Sequence, residues 1–247
     1  MEKTTLSVVV PCFNEEKRIY QNITRIHNYL KDRFEIFEII AVNDGSADGT
    51  VDELKKVQQV IPVKIIDHPI NQGKGKSVRD GVMMSQYEVV MFLDADLAIP
   101  IEGLDAFLAA IQDGNDLAIA SRFVPGNKVL TPVLWYRKIM EKIFRILRMI
   151  ILDNFKVQDT QCGFKVFSRR AALEIFPLLT IDRFAFDAEV IFIATRRKFR
   201  IKELPINLQN PVRTSVRIFR DSANMLIDLT RIRSNNLKGK YNRKVNA

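Results

Sequence analysis

Five short runs rich in apolar, β-branched residues, at 7–11, 36–42, 63–66, 89–93 and 117–120, punctuate the first half of this chain, and each ends abruptly in polar residues. Between them lie stretches with helical patterning at 15–31, 49–60, 74–85 and 101–112. Nearly continuous apolar runs belong to strands buried on both faces, and their alternation with helices implies a mostly parallel sheet covered on both sides. The expected class is therefore α/β. Ligands of such sheets bind beyond the carboxyl ends of the strands. Those ends read Pro11-Cys12-Phe13-Asn14-Glu15, Asn43-Asp44-Gly45-Ser46, Asn71-Gln72-Gly73-Lys74-Gly75-Lys76, Asp94-Ala95-Asp96 and Ser121-Arg122. Any one of them is an ordinary turn. Five on one edge describe a site.

Asp94 and Asp96 follow the buried-looking run VVMFL. Two carboxylates there can divide their work, one facing sugar hydroxyls and one holding a hard cation, Mg²⁺ or Mn²⁺, that bridges to diphosphate oxygens. The Gly73-Lys74-Gly75-Lys76-Ser77 run is neither of the two common phosphate loops. Ile70 stands where a Walker A motif needs glycine, and Val78 where a dinucleotide fingerprint needs it. What remains is a loop with two lysines opening a helix, suited to anions. Cys12 and Cys162 have no Cys or His neighbour at metal-ligand spacing, so neither zinc nor a disulfide framework is expected, and a reducing cytoplasm is. His27 and His68 receive no role.

The net charge of +9 is concentrated. Residues 1–121 carry 12 basic and 19 acidic side chains, residues 122–148 carry 7 and 1, and residues 196–247 carry 14 and 3. Such asymmetry calls for an anionic surface as partner. Residues 134–152 form a candidate amphipathic helix, with Lys138, Lys142, Arg145 and Arg148 on one stripe and Ile139, Ile143, Leu147 and Ile150 on another. Trp135 and Tyr136 open it, as interfacial anchors do. A second such helix spans about 214–233. Both suit the surface of an anionic bilayer. No run of about eighteen uncharged apolar residues is present, so no transmembrane helix is expected, and the first apolar run is too short for a signal peptide. Nucleic acid is not the expected partner, because no recognised motif appears and the basic residues are not interleaved with aromatics. At 247 residues the chain is expected to form a single domain over 1–233, followed by a flexible basic tail, 234–247.

In order and spacing, VVVPCFNEEKRI, VNDGSADGT, NQGKGKSVRDG and FLDADLA resemble the inverting glycosyltransferase family 2, which has the GT-A fold. SRFVPG, DTQCGFKVFSRRAA and RFAFDAEVIFIA are similar to the dolichyl-phosphate β-glucosyltransferases and their polyprenyl-phosphate relatives. The resemblance spans residues 6 to 233. It implies transfer of a sugar, glucose from UDP-glucose, to a dolichyl or polyprenyl phosphate by a peripheral enzyme on the cytoplasmic face of a membrane. It implies that Pro11, Asn14 and Glu15 line the nucleotide pocket, that Asp44 bonds uracil and that Lys74 lies near the phosphates. Asp94 then contacts ribose or sugar, and Asp96, with Asp94, holds the metal. Arg122 and Arg137 receive the acceptor phosphate, and Asp159, Gln161, Asp187 and Glu189 border the sugar. Related mannosyltransferases carry a metal-binding Gln where this chain has Ala98, so the third ligand is unassigned.

A phosphate acceptor is already anionic near neutral pH, its second pKa being about 6. Alignment and charge neutralisation then matter more than a base. With a saccharide hydroxyl as acceptor, Asp187 becomes the base candidate. GDP-mannose and UDP-N-acetylglucosamine are the alternative donors.

Overall fold

The computed structural model describes residues 4–129, 135–154, 156–208 and 218–243. The first half alternates as expected: β1 (Leu6–Cys12), α1 (Ile19–Lys31), β2 (Phe37–Asp44), α2 (Thr50–Gln58), β3 (Val63–His68), α3 (Lys74–Met84), β4 (Val89–Leu93), α4 (Leu104–Gln112) and β5 (Leu117–Ser121). Two predicted helices begin late. Residues 15–18 form a turn closed on the Glu15 carbonyl, and Ile101–Gly103 is a 3-10 turn ahead of α4.

The second half adds β6 (Lys128–Val129), α5 (Trp135–Leu152), β7 (Phe164–Ser168), α6 (Arg169–Ile175), α7 (Phe186–Arg196), β8 (Ile201–Pro205), β9 (Asn207–Leu208) and α8 (Ile218–Leu237). Seven strands form one sheet in the order β3-β2-β1-β4-β7-β5-β8, while β6 and β9 pair separately. All neighbours in the large sheet are parallel except β7, which runs antiparallel between β4 and β5. Two reversals cancel, so β5 still points the same way as β4.

Period-two alternation divides the core. Leu6, Val8 and Val10 of β1 face one layer with Ile23, Leu54 and Phe107 from α1, α2 and α4. Val9 faces the other, with Val82, Ala172 and Ile191 from α3, α6 and α7. Each wholly buried Leu, Ile or Phe contributes about 1.5–3 kcal/mol.

The chain does not fray at 234. Helix α8 runs to Leu237, and Tyr241 in the next turn is buried with its ring 5.9 Å from that of Phe192. Arg197 donates to the carbonyls of Tyr241 and Arg243, which ties down this end. Residues 244–247 lie outside the described residues. Among the described residues, no helix is long and apolar enough to cross a membrane.

Candidate active site

Parallel pairing brings the carboxyl ends of β1 to β5 to one edge, and the reversed β7 contributes its entry, Cys162 and Gly163, to that edge. Asp94 sits at the centre. Its N–H donates to the Gly163 carbonyl at 3.0 Å, and its carboxylate pairs with Lys74 at 2.5 Å. A Cβ at position 163 would lie 2.1–2.3 Å from the Asp94 carboxylate, so glycine there is a requirement of the site. Asp96, partly exposed, accepts a hydrogen bond from the Ala98 N–H at 3.0 Å, in a turn that forces Leu97 to φ +49°.

Directly beneath lies a second ion pair, which no sequence motif reveals. Lys165 of β7 is wholly buried, pairs with Asp187 in the first turn of α7 and donates to the Cys162 carbonyl at 2.7 Å. A lone lysine inside the apolar run Phe164–Phe167 was the available signal. The two pairs feel each other. Burial pushes the Asp187 carboxyl up, against the pull of Lys165 and Lys74. Burial pulls the Lys74 ammonium down, but Asp94 and Asp187 outweigh it and raise it above the usual lysine range.

The loops around this cluster brace one another. Asn14, at φ +56°, accepts from the Ala47 N–H at 2.9 Å while its own N–H donates to the Ser46 hydroxyl at 2.9 Å. Glu15 pairs with Arg18, and its N–H donates to the Thr50 hydroxyl. Pro11 is buried opposite Val42. Asp44, expected at uracil, is a buried loop anchor here. Its carboxylate accepts from the backbone of Gln72 at 2.8 Å and Gly73 at 2.9 Å, and from the Asn71 side chain at 2.9 Å.

The GKGK segment also differs from expectation. Added Cβ atoms at Gly73 and Gly75 would lie 2.4 Å from the Asp182 carbonyl and 2.6 Å from the Ile181 carbonyl, so these glycines admit the 181–186 segment. Lys76 turns to Asp80, and its N–H donates to the Asp182 carbonyl. Lys74 alone of the two lysines reaches the carboxylate cluster.

Arg122 and Asp159, expected at acceptor phosphate and sugar, grip each other. The guanidinium is bidentate, with Nε at 2.7 Å and Nη2 at 3.1 Å, and the Arg122 N–H adds a third bond. Burial pushes the Asp159 carboxyl up, but Arg122 and the Cys162 thiol outweigh it and hold it well below the usual carboxylate range. Gln161 stands beside this pair, its N–H on the Asp159 carboxylate. Arg137 lies on α5, with its side chain outside the described residues.

Two expectations are corrected. Glu189 is wholly buried and turned to other partners. It accepts from Thr180 N–H and hydroxyl, from Ile181 N–H and from the Tyr241 hydroxyl at 2.6 Å, which makes it a structural hub. Arg148 is not on a basic surface stripe. It is buried, and donates to the Val157 and Gln158 carbonyls.

Among the described residues no three His, Cys, Asp or Glu side chains converge as a metal cage. Two hard carboxylates on one edge still fit Mg²⁺ or Mn²⁺, which commonly take one or two protein carboxylates and fill the rest with phosphate oxygens and water.

A family model described as Glycosyl transferase family 2 matches residues 7–176. A dolichyl-phosphate β-glucosyltransferase of Saccharomyces cerevisiae is 31% identical over 261 residues, covering 97% of this chain and 77% of its own length. One from Trichomonas vaginalis is 33% identical over 213 residues, covering 81% of this chain and 64% of its own length. In fold, the chain is similar to glucosyl-3-phosphoglycerate synthase of Mycobacterium tuberculosis, solved with Mn²⁺, UDP and glucosyl-3-phosphoglycerate. The TM-score is 0.66 at 19% identity, over 98% of this chain and 81% of that one. Geometry and likeness converge on one class of protein, the glycosyltransferases of GT-A fold. Within that class, the chain belongs to glycosyl transferase family 2.

Proposed function

We propose that this glycosyltransferase moves glucose from UDP-glucose to a dolichyl or polyprenyl phosphate at an anionic membrane surface. The observation that carries the reading is the Asp94–Lys74 pair with Asp96 beside it, two strands from the Arg122–Asp159 pair, on one sheet edge. One group of residues suits a nucleotide diphosphate, the other a second anion. The names of the relatives supply the sugar and the lipid.

A phosphate oxygen of the acceptor attacks the anomeric carbon, the bond from that carbon to the diphosphate breaks, and UDP leaves with the electron pair. Asp94 and Asp96 would hold Mg²⁺ or Mn²⁺, which when bound neutralises charge on the leaving diphosphate. Lys74 adds a cationic donor on the same side. Arg122, fixed at its Nε edge by Asp159, and Arg137 present guanidinium to the acceptor phosphate. Pro11, Asn14 and Glu15 line the nucleotide end, and Asp44 shapes it through the 71–73 loop.

Helix α5 supports the membrane part of the reading. Ile143, Ile146, Leu147 and Ile150 follow helical spacing and are all exposed, Ile150 by 62%. Exposed Lys142 and the Arg145 guanidinium, 4.2 Å from the Phe123 ring centroid, flank them. An apolar stripe edged by cations suits the headgroup boundary of an anionic bilayer.

The direct test supplies UDP-glucose and a polyprenyl phosphate with Mn²⁺ or Mg²⁺, with GDP-mannose and UDP-N-acetylglucosamine in parallel. Metal-dependent glycolipid from UDP-glucose is the expected result. No glycolipid from any donor, despite UDP binding, would overturn the lipid-phosphate acceptor. Sedimentation with phosphatidylserine vesicles tests the surface, where I143E/I150E is expected to abolish binding.

A further inference from the structure

A fully buried lysine in the middle of a central strand is costly. Lys165 sits between Phe92 of β4 and Ile119 of β5 in the sheet register, with no exposed surface, and its ammonium lies 5.1 Å from the Phe92 ring centroid. Desolvating such a pair usually costs as much as its attraction returns, so fold stability does not account for it. Its surroundings do. One of its donors holds the Cys162 carbonyl, and the next residue, Gly163, carries the backbone and the empty space against which Asp94 is set. Its counter-ion, Asp187, lies within electrostatic reach of Lys74, as Asp94 and Asp96 do. Lys74 thus stands between competing anions, of which Asp187 has a buried cation of its own.

We infer that Lys165 is a positioning residue for sugar transfer. It neutralises Asp187 so that Lys74 stays on Asp94 and the donor diphosphate, and it fixes the turn beneath Asp94. Asp187 is then the counter-charge of Lys165 and not a general base. This rests on the nucleotide-sugar transferase reading. It agrees with an acceptor that is already ionised.

The test compares K165M, D187N and K165M/D187N in two readouts, UDP binding by calorimetry with Mn²⁺ and kcat for glycolipid formation, both per folded molecule. Removing Lys165 alone leaves Asp187 to draw Lys74 away, so K165M is expected to weaken UDP at least about tenfold and to lower kcat by a similar factor. The double variant, neutral again, is expected to return to within about threefold of wild type in both. K165M is the variant most exposed to misfolding. Should it fail to fold, the double variant is expected to exceed D187N in both readouts.

A double variant no better than K165M or D187N would overturn the inference. So would D187N and the double variant binding UDP like wild type while losing transfer by about a thousandfold or more, the signature of a base. If wild type makes no glycolipid but the UDP-binding pattern holds, the pair stands and the acceptor reading falls. If wild type binds no UDP, both fall.

Discussion

Asp94-Ala95-Asp96 and Asp187-Ala188-Glu189 are almost the same tripeptide, and the fold uses them in opposite ways. The first follows a strand, in a loop, with Asp94 on Lys74 and Asp96 partly open to solvent. The second opens a buried helix, where residues two apart point about 200° from one another. Asp187 therefore meets Lys165, while Glu189 faces away, to Thr180, Ile181 and Tyr241. Burial pushes both carboxyls of the second pair up. Carboxylate spacing alone says nothing of role. What separates the open pair from the pair that organises the interior is burial, since Asp94 and Asp96 are partly exposed whereas Asp187 and Glu189 are buried on protein donors.

The largest effect should come from the open pair. D96A is expected to lower metal-dependent transfer on the order of 10²–10³-fold, as loss of a transition-state charge stabiliser does, with an unchanged melting temperature. A comparable loss of thermal stability would sink the distinction. Its counterpart in the buried pair should do the reverse. E189A strips the acceptor from Thr180, Ile181 and Tyr241, and is expected to cost about 3 kcal/mol, or roughly 6–12 °C in melting temperature. Transfer per folded molecule should stay near wild type. A rate collapse in folded E189A would return Glu189 to the sugar.

The same contrast explains what was legible in the sequence. Strands β1 to β5 announce themselves because each is a short, largely apolar run in regular alternation with helical stretches, and the site residues on their ends follow from that. Strand β7 carries a lysine as β3 does, but it lies beyond the regular strand–helix alternation of the first half, and a buried lysine looks like a surface residue until its partner is known. Helix α7 was missed because Phe186 to Ala194 are buried on every side, which erases the helical periodicity that sequence patterns show. Asp159 and Gln161 were flagged only through family resemblance. The partner of Asp159, Arg122, is 37 residues away, a distance no local pattern bridges. The glycines of the GKGK segment have a reason, but it is the 181–186 segment packed against them, far off in sequence.

Gly163 offers a smaller and finer break. G163A would put a methyl group about where the Asp94 carboxylate sits, forcing that side chain to move while leaving both ion pairs chemically intact. Misplacement of this kind is expected to cost about tenfold to 10²-fold in kcat. Donor affinity should weaken with it. Wild-type kinetics in G163A would mean that the position of Asp94 is unimportant.

The smallest expected effect is a difference in the sign of two pH dependences. Arg122 holds Asp159 below its ordinary range despite burial. The stability this pair contributes is complete above the unfolded value of about 3.9 and is lost as pH falls toward the lower folded value. Burial holds Glu189 above its ordinary range despite its four donors. Its contribution is complete below about 4.3 and is lost as pH rises through the raised folded value. Each group can tilt stability by at most about 1.4 kcal/mol per pH unit. Denaturant melts of wild type, D159N and E189Q from acid to neutral pH should show both slopes. The advantage of wild type over D159N should shrink as pH falls. Its advantage over E189Q should shrink as pH rises. Parallel curves for E189Q and wild type would mean that the four donors fully compensate its burial, and Glu189 would then titrate as an ordinary carboxyl.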